Sequence, residues 1–185
     1  MSEASLSSLA AWQNFYVIIG AAAATLTGLL FVVITLLSGA LARVTSPLSG
    51  IRVFNTPNVI HFGAALVIAA LLSAPWPALW PAGLLVGLAG LWGVIYIFIV
   101  LWEVRHRMAH YHMVLSDWLW YTLLPLIAYT ALLVAGILLP ISAALLLFVI
   151  AAALLLLVIM GIRNAWDLVT YMLVQVPQSE NTSQG

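Results

Sequence analysis

Hydrophobic positions along this chain are gathered into long blocks with short polar stretches between them. A bilayer core about 30 Å thick takes roughly 20 apolar residues of helix at about 1.5 Å rise each. Five blocks reach that length or come close, at about residues 15–38, 57–74, 82–102, 118–139 and 141–162. Each predicts a transmembrane helix, and together they predict an all-α integral membrane protein: one compact five-helix domain over the whole chain. The boundaries carry their own signals. Asn55 and Thr56 are capping types ahead of Pro57, and a proline suits a first helical turn because its missing N–H loses no bond there. Pro75, Pro77 and Pro81 break the chain between the second and third spans, and Pro140 alone separates the fourth from the fifth. Pro125, in YTLLPLIAY, frees the carbonyl of Tyr121 and predicts a bend in the fourth helix. From Ile141 to Gln175 there is no proline and Gly161 is the only glycine. The fifth helix is therefore expected to continue into the cytoplasm, with an extension and tail over 163–185. The segment 39–56 is long for a bundle loop, and its Val44, Leu48, Ile51 and Phe54 are expected along the inner interface.

Charge sets the orientation. Arg43 and Arg52 lie between the first two spans, Arg105 and Arg107 between the third and fourth, and Arg163 ends the fifth. With five spans all of these share one side, and basic residues near span ends resist translocation. The N-terminus is thus expected outside and the C-terminus in the cytoplasm of a cell (inner or plasma) membrane. Tryptophans agree: Trp12, Trp76 and Trp80 fall at one boundary, and Trp102, Trp118, Trp120 and Trp166 at the other. An indole has an apolar body and a wet N–H, and both are satisfied at that level. Only Trp92 is mid-span.

Composition supports the same class and removes others. The chain is 65% apolar and 5% charged, where soluble domains are near half and a quarter. Five basic residues cannot neutralise enough phosphates for a nucleic-acid binder. The absence of cysteine excludes disulfides, thiolate metal sites and a cysteine nucleophile. The first apolar block is too long for a signal peptide and lacks a basic flank, so it reads as a retained span.

Within lipid, helices associate through close packing and hydrogen bonds. Gly20, Ala24, Thr27, Gly28, Thr35 and Ser38 project along one stripe of the first span, and Gly83, Gly87 and Gly90 line one face of the third. Both stripes predict tight helix contact. The hydroxyls of Thr27, Thr35 and Ser38 could also line a hydrated path, unless they bond to their own helix.

The richest polar stretch is LWEVRHRMAHYHMVLSDW, residues 101–118. Glu103, His106 and His110 fall on one helix face there and, with Asp117 or Asp167, are the candidate zinc ligands. Each charge also has a plain role: Glu103 can pair with Arg107, Asp117 can cap the fourth helix, and Arg163 can pair with Asp167. His61 is more telling. It lies about one turn inside the second span, and an ionisable group at that depth wants a partner. Asp117, Asn164 and Asp167 reach a similar level from other helices.

A chain with such short loops must work in or at the bilayer. The first expectation is a homo-oligomeric ion channel or small-solute pathway, with no cofactor and no catalysis. The second is an accessory or assembly subunit of a larger membrane complex, docking through Gly83, Gly87 and Gly90. The third is a metal-dependent membrane enzyme using Glu103, His106 and His110.

Overall fold

The computed structural model describes residues 3–41, 49–107 and 118–182, side chains towards the ends of these stretches excepted. The chain forms helices α1 (Glu3–Ala11), α2 (Gln13–Leu41), α3 (Ser49–Ser73), α4 (Leu79–Arg107), α5 (Leu124–Leu138) and α6 (Ala143–Thr182), with a π-helical turn Leu119–Leu123 leading into α5. Among the described residues there is no strand. Four helical segments are long and apolar enough to cross a membrane: Gln13–Leu36, Leu79–Trp102, Leu119–Leu138 and Ala143–Asp167. The apolar part of α3 described here, Asn58–Ser73, is shorter.

The exterior is as apolar as the interior. Ile18, Phe31, Val32 and Leu36 of α2, Leu84, Ile95, Phe98 and Ile99 of α4, and Leu145, Phe148 and Ile159 of α6 are all exposed. Soluble monomers do not present contiguous apolar surface on this scale. This is the surface of a membrane-embedded protein.

Three boundaries differ from the sequence reading. Helix α3 begins at Ser49 and runs through Pro57. The proline is therefore not in a first turn. It removes one i→i−4 bond, yet the helix-forming residues before it carry the helix on. With α2 extending to Leu41, much of the segment 39–56 is helical; Val44 and Leu48 lie outside the described residues. At the start of the chain, α1 forms a separate short helix whose Leu9 is buried. Before Pro125 the backbone takes a π turn, closed by the Leu124 N–H to the Leu119 carbonyl. A proline has no N–H to keep the α register there, and a wider turn absorbs the irregularity.

Successive long helices pack antiparallel. At one end, the Gln13 side-chain amide donates to the Ser73 carbonyl (3.4 Å), and the Tyr16 hydroxyl donates to the Leu147 carbonyl (3.3 Å). Trp12 packs edge-on against Phe148 there, with ring centroids 4.5 Å apart. The Trp76 indole N–H caps the Leu71 carbonyl at 2.6 Å. At the other end, the Arg163 guanidinium lies 4.5 Å over the Trp120 ring and pairs with Asp167 at 3.7 Å. Between the ends, the core is filled by Ile68, Leu72, Leu132, Leu147, Ile150 and Leu154.

The closest approach is between α4 and α5. A Cβ on Gly83 would stand 2.5 Å from the Gly136 carbonyl oxygen, and one on Gly136 would stand 2.7 Å from both the Gly83 carbonyl oxygen and the Gly87 Cα. Only glycine lets the two backbones meet this closely, which is how helices gain contact in lipid.

Candidate functional site

The bundle interior has one polar region among the described residues. Its buried polar side chains are Asn58 and His61 on α3 and Asn164 on α6, each at most 2% exposed. Asn58 and His61 are separated by one turn on the same face of their helix. Tyr129, fully buried on α5, completes the region.

Local sequence explains how each residue is placed. His61 Nδ1 and the Tyr129 hydroxyl share a buried hydrogen bond of 3.0 Å, whose direction follows the imidazole tautomer. Tyr129 can reach α3 because its ring lies directly against Gly93 of α4, where any side chain would occupy the same space. Asn164 is brought inward by Gly161, one turn earlier, which lies against the ring of Phe62. Phe62 immediately follows His61, so this glycine–ring contact fixes the register of α3 against α6.

That register puts the two asparagines at one level. Asn58 precedes Phe62 by about 6 Å of helix rise, and Asn164 follows Gly161 by about 4.5 Å. The helices are antiparallel, so both displacements point the same way, towards the end that carries Arg163. Neither carboxamide is satisfied. The side-chain nitrogen and oxygen of Asn58 and of Asn164 are all buried without a hydrogen-bond partner among the described residues. Each unpaired buried polar group costs about 1–3 kcal/mol. Two whole carboxamides left so, next to a paired histidine, concentrate a cost that an apolar residue at either position would avoid.

The other residues singled out in the sequence are placed as follows. Asp167 is at the surface, partly exposed and paired with Arg163. Thr27 and Thr35 donate to the carbonyls of Ala23 and Phe31 in their own helix, both at 2.8 Å. Ala24, Gly28 and Thr35 are exposed on the outside of α2, and a Cβ at Gly28 would meet nothing within 4 Å. Gly20 faces Ala69 across the α2–α3 contact, where its Cβ would lie at 3.3 Å. Gly83, Gly87 and Gly90 face α5 of the same chain, a surface spent within the bundle. Asp117 and His110 lie outside the described residues, as do the side chains of Glu103, His106 and Ser38. Among the described residues, no three His, Cys, Asp or Glu side chains gather.

Two members of the polar region escaped the sequence reading. Asn58 had a signal, since it precedes His61 by one turn in PNVIHFG and any polar face there begins with it. Tyr129 had only a weak one: a lone tyrosine in an apolar stretch, with no way to know which helix it faces.

Comparisons with protein families, with curated proteins and with solved structures find no match to this chain.

Proposed function

We propose that this chain is a five-span protein of a cell membrane that provides a pathway for a small solute, without a catalytic step. The observation that carries this reading is the unsatisfied pair Asn58 and Asn164 beside the His61–Tyr129 bond. Polar groups inside a bilayer are expensive; those that serve packing hydrogen-bond across helices, and the two asparagines do not do so among the described residues. In this reading α3, which runs from Ser49 to Ser73, is the fifth span. The Arg-bearing end is the cytoplasmic one, by the basic-residue asymmetry of the sequence, and the asparagines lie towards that face.

Towards the opposite end the interior is filled by large side chains, Ile68, Leu72, Leu132 and Leu154 among them. Passage therefore requires that the helices move, or that a second route runs between copies. The exposed small residues Ala24 and Gly28 on α2 favour a homo-oligomer, since they allow a second helix to approach closely. The threonine hydroxyls on that helix bond to their own backbone, so the stripe supports contact between copies better than a wet lining. The accessory-subunit reading is weaker, because the glycine face of α4 is already used by α5.

Reconstitution tests this. Purified protein in liposomes is expected to pass at least one ion or small solute above the empty-vesicle baseline at pH 5 or pH 8. No flux of any kind at either pH defeats the reading.

A further inference from the structure

The polar region also carries information about what it holds. The geometry points to Asn58 and Asn164 as a binding station for an uncharged small molecule that both donates and accepts hydrogen bonds, of the polyol or urea kind. This rests on the pathway reading above and deepens it.

Three observations support it. The first is chemical type. A carboxamide offers one carbonyl acceptor and two N–H donors, and both groups of both asparagines are without a protein partner among the described residues. A ligand that satisfied only acceptors, as a cation does, would leave the amide nitrogens unmet. One that satisfied only donors, as an anion does, would leave the oxygens unmet. A hydroxyl or an amide on the ligand meets both.

The second is charge. The buried polar residues among those described are two asparagines and a histidine, with no carboxylate, lysine or arginine among them. The nearest described charges, Arg163 and Asp167, are partly exposed and neutralise each other. Two amide oxygens cannot replace the hydration shell of a metal cation, which takes about six oxygen ligands in protein sites. An ion moved here would lose water and gain no counter-charge from the buried residues described.

The third is placement. The Phe62–Gly161 contact holds Asn58 and Asn164 at one level on facing helices. The two carboxamides can thus act on one small molecule, with the His61–Tyr129 bond closing the site one turn further in.

The test compares wild type with Asn58→Leu/Asn164→Leu in proteoliposomes. Glycerol and urea uptake is followed by stopped-flow light scattering, and potassium and chloride flux by ion-sensitive dyes. Thermal unfolding in detergent reports on the fold. The expected result is glycerol or urea uptake several-fold above empty vesicles, potassium and chloride at baseline, and at least a tenfold loss of uptake in the double variant with an unchanged or higher melting temperature. Uptake retained in a folded double variant overturns the assignment. So does ion flux without glycerol or urea uptake, though the pathway reading then survives. A lowered melting temperature together with lost uptake also overturns it, since the two carboxamides would then be structural. No flux of any probe removes the pathway and this inference together. Should the double variant not be recovered folded, Asn58→Leu and Asn164→Leu singly carry the same comparison.

Discussion

His61 on α3 and Tyr129 on α5 are joined by a buried hydrogen bond of 3.0 Å between Nδ1 and the phenolic hydroxyl. The bond links two helices far apart in sequence, and nothing else polar ties α3 to α5 among the bonds described. Interhelical hydrogen bonds in membranes contribute about 0.6 kcal/mol on average and up to about 2 kcal/mol. Tyr129→Phe is therefore expected to destabilise the protein by about 1 kcal/mol. A double-mutant cycle with His61→Leu should give a coupling energy of about 0.6–2 kcal/mol, read from unfolding in mixed detergent. A coupling near zero would mean that the bond does not form.

The α4–α5 contact should be the least tolerant of added volume. Gly136→Leu places atoms where the Gly83 carbonyl and the Gly87 backbone already stand. Overpacking of this kind typically costs about 1–3 kcal/mol, and here the obstructing atoms are backbone, which cannot rotate away. Equilibrium unfolding checks this, and a change below about 0.5 kcal/mol would show that the helices are not so close.

Gly28→Leu should behave in the opposite way. Its Cβ meets nothing within the chain, and leaving glycine gains up to about 1 kcal/mol of helix propensity. The single chain is expected to keep or gain stability, while self-association is lost if copies meet along α2. Size-exclusion with light scattering in detergent reads both. An oligomer unchanged by Gly28→Leu would move the interface elsewhere.

Phe62 and Gly161 should show compensation. Gly161→Ala pushes a methyl group into the Phe62 ring and is expected to cost about 1–3 kcal/mol. Adding Phe62→Leu removes the ring edge and should recover at least half of that loss. Additive losses in the double variant would show that the ring does not set the spacing of α3 and α6.

How far the sequence reveals all this depends on the range of the interaction. The long apolar blocks and the Pro140 hairpin are local, and the helices follow them. The glycines of α4 are legible as a packing face, since no other role explains Gly83, Gly87 and Gly90 at that spacing. Their partner is not, because Gly136 is a lone glycine in α5 whose importance appears only when the helices meet. Pro57 is misleading: it reads as a first-turn residue, but the helix starts at Ser49 and continues through it. His61 stands out by depth alone, yet the partner found for it among the described residues is Tyr129, while Asp167 pairs with Arg163. Asn164 was legible as a residue at the right level, but its burial follows from Gly161 facing Phe62, a tertiary fact.

The polar residues are predicted to lie inside the bilayer near a face shared by all five arginines. The chain contains no cysteine, so single cysteines can be introduced at positions 46, 77, 105 and 142 without background and labelled in intact vesicles with an impermeant maleimide. Positions 46 and 105 are predicted to react from the cytoplasmic side, and 77 and 142 from the other. Labelling of 46 and 105 from opposite sides would separate the loops around α3 and α4, and would contradict a polar site formed near a single membrane face.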